Sequence, residues 1–441
     1  MYISSESDQE FQFNFLTDEN GAMTIFGLFV FVVMIFVSAV AVDVANLMAA
    51  RNQLQVAADT AAHAALYFRD TNDEDAAKAK AVELASAGMP VLVYGEVLST
   101  DDVQFGTWDF DAQAFSADST SRTAVMVTTR RLSERSNSIA SYLFQFAGKS
   151  DWDVITSAVF TTYKPTCFRE GFVADDVVDI QSNNGYSNGF CIHSNEYVSV
   201  NLNNTFEPGT VVSMPNMDEI DLPQSGFENN DGLQAALRSG VYRLRIINKL
   251  QGIIAGLEVG NDKYIPDYIT SDEPVVISGG HTLDEDDFIP GRIHTMHCTG
   301  AGKVTISPTV PLTEIVFVSD CEIKFGAGTI LQDVVIATTH TGATSMNSPA
   351  SFQIGRDDNC AEGGGAQLLS LGGMDFAAGL KMFGGQIIAK GDVEFSAEAN
   401  GIEGASIISA STISGTSNME MAFCGTGMEN NFEAEYFRLA G

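Results

Sequence analysis

Positive charge is what this chain has least of. Lys and Arg number 23 against 57 Asp and Glu, for a formal net charge of −34. Nucleic acid and anionic membrane surfaces both need a basic footprint, so neither is an expected ligand. No Lys or Arg precedes Arg51, whereas a cleaved secretory signal would open with basic residues and carry a shorter apolar run. None of the six cysteines has C-x-x-C spacing, which argues against the usual zinc and dithiol redox motifs. Proline is sparse beside glycine, 11 against 40, so tight turns fall largely to glycine, the punctuation of a β-rich region. Hydrophobicity is not in short supply. With 45% hydrophobic residues and 29 Phe, the chain can build cores and has room for about two or three domains.

Residues 22–42 carry no charge. At about 1.5 Å per residue they make roughly 31 Å of helix, enough to cross a hydrocarbon core. We read a retained transmembrane span behind a short acidic tail, 1–21, that holds Glu6, Asp8, Glu10, Asp18 and Glu19. Residues 43–68 contain no Gly or Pro and are rich in good helix formers. Leu47, Leu54, Ala58, Ala61, Ala65 and Leu66 keep helical spacing on one face, so one long helix is expected over 22–68. A lone Arg51 beyond the span draws the C-terminal side inward under the positive-inside rule, but the cysteines favour an oxidising compartment. The expected topology is a single pass in the inner membrane, with everything after residue 42 exported to the periplasm or cell surface.

Asp43 directly after the span, Arg51, and then "LQVAADTAAHAA" from Leu54 resemble the N-terminal segment of the TadE/TadG-like proteins of Flp (tight adherence) pilus assembly. The shared positions are Asp43, Arg51, the Leu54-Gln55 pair and the Ala58-Asp59 pair, each at a fixed offset from the span. Pilins cleaved by prepilin peptidase are similar to one another in having Gly before the cut and Glu five residues later. Counted from Gly21 that fifth residue is Phe26, so the chain looks closer to the uncleaved TadG branch. The resemblance implies a role in assembling or presenting Flp pili, with other Tad proteins or pilins as partners.

Residues 69–165 read as a small α+β pilin-like module. "DTNDEDAAKAKAVELASAG" from Asp70 is a polar turn leading into a helix, with Asn72, Asp73 and Asp75 as candidate caps. Strands are expected from about Asp102, Thr123 and Trp152, and "SNSIASYLFQFAG" is expected to be a capped helix ended by Gly148. Arg130, Arg131 and Arg135 form a basic cluster, read as a solvated strand end.

From 166 to 441 the pattern changes to short β-rich runs, with a helical insertion near 229–258. Ile387 falls over Ile407 and Val393 over Ile413 at a spacing of 20. Ile315, Val316 and Phe317 fall over Val334, Val335 and Ile336 at 19. That period with short strands marks a parallel β-helix-like all-β solenoid. Cys167 and Cys191 are about one such coil apart, as are Cys298 and Cys321, and neighbouring coils lie within disulfide reach. The expected disulfides are Cys167–Cys191, Cys298–Cys321 and, by elimination, Cys360–Cys424.

No motif carries chemistry. From residue 261 onward the basic residues Lys263, Arg292, Lys303, Lys324, Arg356, Lys381, Lys390 and Arg438 show no clustering that an acidic-glycan lyase would use. In "HTMHC", His294 and His297 would face opposite sides of a strand. His63 has no second ligand near it in sequence, and "DEDD" at 284–287 lacks the alternating ligands of a calcium loop. No cofactor and no metal are expected. The expected function is a non-enzymatic, membrane-anchored component of Flp pilus assembly or attachment. The alternative is an anchored β-helix that binds or degrades polysaccharide, with a cell-surface glycan as ligand.

Overall fold

The computed structural model describes residues 21–279, 281–298, 302–415 and 418–440. Apart from Gly21, the acidic tail read at 1–21 lies outside them. The chain divides into two compact units, Met1–Tyr163 with Phe437–Gly441, and Lys164–Tyr436.

The first unit is organised by one helix. α1 (Ala22–Arg69) is 48 residues long, about 70 Å. Its first half exposes Phe26, Phe29, Phe31 and Phe36, a surface suited to lipid rather than water. It is a candidate membrane span, consistent with single-pass anchoring. The second half instead buries Leu54, Ala58, Ala61, Ala62, Ala65 and Leu66. Small side chains on that face let α2 (Glu74–Gly88) approach through its own row of Ala77, Ala81 and Ala85. Asp73 starts α2 by accepting the Ala76 N–H at 2.8 Å, and one further turn, α3 (Val91–Tyr94), follows Pro90.

A sheet that packs on α1 begins with the antiparallel strands β1 (Val103–Asp109), β2 (Ala114–Ala117) and β3 (Ala124–Arg131). Then come β4 (Ile139–Ala140), β5 (Asp151–Trp152) and β6 (Val154–Tyr163). The sheet order is β2-β1-β3-β6, with the C-terminal strand Tyr436–Leu439 beside β6. The α-helix expected from "SNSIASYLFQFAG" does not form. The segment is instead the short hairpin β4–β5, whose tip holds one 3-10 turn, Phe144–Ala147, ended by Gly148 at φ 85°. Backbone N–H groups at this tip bond to a side chain of α1 rather than along a helix of their own.

The second unit is a large parallel sheet, consistent with a parallel β-helix. One column of register partners runs from Ser271–Val276 through Arg292–Met296, Leu312–Ser319 and Ile330–Thr338. It continues through Ala366–Ser370 and Gln386–Ala389 to Ser406–Ser409. The pairs that the spacing placed over one another, including Ile387 with Ile407 and Ile315 with Val334, are direct partners.

The column does not stop at Ser406–Ser409. That strand pairs with Gly171–Ala174, where the unit begins, and Gly171–Ala174 pairs in turn with Cys191–Ser194. From there it proceeds to Val211–Met214 and Leu237–Ser239. The chain therefore enters in the middle of the stack, winds out to one end, crosses to the other and winds back. The helical insertion is shorter than expected. A single turn α4 (Leu233–Ala236) and strand Leu237–Ser239 precede the helix proper, α5 (Arg245–Glu258). α5 packs on strands of the returning half, including Leu312–Ser319 and Gln386–Ala389.

The interior is a single apolar cluster that crosses this seam, with Phe172 and Phe395 in edge contact at 5.6 Å. Aromatic rings stack on one another in this interior. Tyr186 lies 4.9 Å from Phe206, and Phe352 lies between Phe325 at 4.4 Å and Phe376 at 5.4 Å. A buried asparagine ladder runs beside them. Asn230 Oδ1 accepts the Asn204 N–H, Asn204 Oδ1 that of Asn184, and Asn184 Oδ1 that of Met419 across the seam. The residue before each of the last three, Asn183, Asn203 and Asn418, is left-handed, a conformation Asn tolerates better than most residues.

Phe352→Ala should leave a cavity that flanking stacked rings cannot close. We expect a loss of about 3–5 kcal/mol of stability, measured by denaturant unfolding of the full chain.

Candidate functional site

The motif residues of the N-terminal segment separate by role. Asp43 is 3% exposed. Its carboxylate accepts the N–H groups of Tyr142, Leu143 and Phe144 at 2.7–3.1 Å, and the Ser141 hydroxyl at 3.1 Å. One acidic side chain on α1 thus satisfies three consecutive donors of the hairpin tip, the arrangement an N-cap uses on a helix. Leu54 and Ala58 are fully buried, and the Leu54 carbonyl accepts the Thr129 hydroxyl from β3 at 3.0 Å. Gln55 donates to Asp59 at 2.9 Å and to the Ser157 carbonyl of β6 at 3.1 Å. Arg51 is exposed. Asp43, Leu54 and Gln55 therefore tie the tip and the sheet to α1, Ala58 packs in the core, Asp59 braces Gln55 within the helix, and Arg51 is exposed.

Beside Arg51, α1 and α2 border a cleft of about 350 Å³ with largely apolar walls, lined by Asn52, Val56, Thr60, Leu84, Met89 and Tyr94. Next to it α3 exposes Val91, Leu92 and Val93. Such a surface can take apolar side chains of another helix, and it brings together no catalytic groups.

The basic cluster is not a solvated strand end. Arg130 and Arg135 converge on Asp102 at 2.9 and 2.8 Å, and Arg131 bonds the Asn137 and Ser138 carbonyls. Asp102 is 8% exposed and also accepts the Ser99 N–H and hydroxyl. Burial pushes its carboxyl up, but the hydrogen bonds from Arg135 and Ser99 outweigh burial and hold it below the usual carboxylate range.

In the second unit Cys167 is bonded to Cys191, Cys298 to Cys321 and Cys360 to Cys424. Two groups among the described residues are close enough to share an ion: Cys298, Asp320 and Cys321, and Cys360, Glu403 and Cys424. Each counts two sulfurs already joined to one another, which are not thiolate ligands. His294 is buried against Phe288, whereas His297 is 62% exposed near Glu258 and Asp320, so the two do not converge. His63 sits among Tyr67, Phe160 and Phe437. Residues 284–287 form a self-capped 3-10 turn. A polar cleft of about 310 Å³ gathers Lys164, Lys249, Lys263, Tyr264, Asn430 and Glu433. The fold thus brings together basic residues that lie far apart in sequence, and Glu433 pairs with Lys164 and Arg169 at its edge.

Residues 171–425, more than half of the chain, match the family described as Domain of unknown function (DUF7867). The chain belongs to that family. The DUF7867 match begins at the seam strand and ends just past Cys424, so it spans the whole stack of parallel strands. Residues 21–79 separately match the TadE/G-like Flp pilus-assembly domain, covering α1 and the start of α2. No curated protein and no solved structure matches the chain.

Two outcomes are expected here. Asp43→Ala should speed amide exchange at Tyr142, Leu143 and Phe144 by at least about tenfold, read by hydrogen–deuterium exchange. For Asp102, the depressed folded pKa means that its contribution is complete above about pH 4 and is lost as pH falls through the lowered value. Asp102→Asn should flatten that acid-side loss, measured as the unfolding midpoint against pH.

Proposed function

We propose that the protein is a non-enzymatic, membrane-anchored component of Flp pilus assembly or of pilus-mediated attachment, closest in kind to the TadG branch. The observation that carries this reading is the TadE/G-like domain at residues 21–79, supported by a candidate span that leads directly into the helix of a folded module. In this reading 22–42 crosses the inner membrane, and the apolar cleft along α1 receives a helix of another Tad protein or a pilin. The DUF7867 region is a β-helix solenoid in the periplasm or at the cell surface, where three disulfides keep it folded. It offers an extended interaction surface.

The polar cleft favours a second reading, binding of a cell-surface polysaccharide. Lys and Asn side chains and the half-buried Tyr264, over whose ring Lys263 lies, supply donors and aromatic surface of the kind that sugars use.

Deletion of the gene should abolish or strongly reduce piliation and surface attachment, counted by electron microscopy and adhesion assay. Normal piliation and adhesion in the deletion strain would refute the assignment. Wild-type pili with lost attachment to glycan-coated surfaces alone would favour the second reading.

A further inference from the structure

The hairpin tip held by Asp43 has a feature that the pilus reading does not use. Its backbone is fixed while two of its three aromatic side chains are turned outward: Tyr142 is 58% and Phe146 86% exposed. Both flank the clasp, since the N–H of Tyr142 itself bonds Asp43 and Phe146 lies in the 3-10 turn that begins at Phe144. Inside the tip, Phe144 packs edge-on against Trp152 at 5.9 Å, and Lys149 lies over the Trp152 ring at 5.2 Å. The strands beneath are paired, Ile139 with Trp152 and Ala140 with Asp151. The tip is a built loop with two aromatic side chains left over.

Its position along α1 gives those side chains a place. Asp43 is the first residue after the uncharged run of 22–42. Side chains on a helix lean toward its N-terminus, so the Asp43 carboxylate draws the tip toward the span. Ala39, one turn earlier on the same face and inside the apolar run, is 7% exposed, while Ser38, Val40 and Ala41 around it are exposed. The 3-10 turn Phe144–Ala147 is in contact with α1. The tip therefore sits level with the last turn of the span, where hydrocarbon gives way to headgroups. Tyr and other amphipathic rings are favoured at that level, and Lys149, also exposed, can extend to phosphate.

We infer that the 141–149 tip is a second membrane contact, an interfacial anchor in which Tyr142 and Phe146 insert beside α1 at the headgroup–acyl boundary of a phospholipid bilayer. It rests on the reading of 22–42 as a span. Two points of attachment would fix the tilt and rotation of α1 as it leaves the bilayer, where a single helix would leave the module free to turn.

The test uses the full chain in phospholipid nanodiscs, with Phe146→Trp and, separately, Phe36→Trp, a position exposed within the apolar run. Each is compared with the wild-type emission of Trp108 and Trp152. The added emission of Phe146→Trp should be blue-shifted and quenched about twofold or more by lipid brominated high in the acyl chain, with weaker quenching from deep bromines. Emission from Phe146→Trp that is unshifted and unquenched, with Phe36→Trp quenched, would overturn the anchor and leave the span standing. A blue shift without quenching would overturn it too, because protein rather than lipid would then cover the tip. If neither position is quenched, the span reading falls first and takes the anchor with it. Phe146→Ser, at so exposed a site, should keep the wild-type unfolding midpoint while raising the rotational freedom of a spin label on the module in the nanodisc. An unchanged label mobility would also count against the anchor.

Discussion

The parallel pairing of Gly171–Ala174 with Ser406–Ser409 is the contact on which the larger unit depends. Without it the stack is two half-stacks, each with an open edge and an uncovered apolar end. Several groups are committed to it. On the other side of the same strand, Gly171 has φ 151° and a Cβ there would lie 2.1 Å from the Cys191 carbonyl oxygen, so only glycine lets the strand close up on that second neighbour. Ser406 donates to the Phe168 carbonyl at 2.9 Å, and the buried Glu170 accepts the N–H groups of Cys424 and Gly425. The ladder bond between Met419 and Asn184 spans 235 residues. Closure of this kind must await synthesis of nearly the whole unit, and non-local pairing is intrinsically slow. The outer strands are protected meanwhile by ordinary means: Ser271–Val276, at one end of the column, carries Asp272, Glu273 and Pro274.

α1 shows how one regular element can suit two solvents. Its backbone geometry is the same along its length, but phenylalanine faces outward before Asp43 and alanine faces inward after it. Bulky apolar groups would suit lipid, where there is no water to exclude. Alanine allows a second helix and a sheet to come close, where the gain comes from packing. Asp43 stands at the change from one regime to the other, and its four hydrogen bonds make a residue at the edge of the apolar run part of the folded module.

Periodicity made much of this legible in advance. The long helix could be read from an uncharged run followed by helical spacing, and the register pairs of the parallel sheet from repeats of 19 and 20 residues. Local patterns misled where a tertiary partner decided the outcome. "SNSIASYLFQFAG" has the composition of a helix, yet its donors are taken by Asp43, about a hundred residues earlier. Arg130 and Arg135 looked solvated because Asp102 is distant in sequence. The twin asparagines at 183–184 and 203–204 were a signal in plain view: a repeated left-handed residue followed by a buried ladder position. The entry of the chain into the middle of its own stack left no trace in the spacing, because pairing between the first and last strands has no period.

Entry and exit at the middle also decide how the stack would bear load. A pull on the chain at Lys164 reaches the bond between Cys167 and Cys191 within a few residues, before any strand of the stack is drawn upon. A pull at Tyr436 travels back to the bond between Cys424 and Cys360. Tension from either connection is handed to covalent links seated elsewhere in the stack, so the hydrogen bonds of the seam are not the first to carry it. Only the short lengths outside those two bonds can peel away. The stack would behave under force as a bar gripped at its centre, with both ends free.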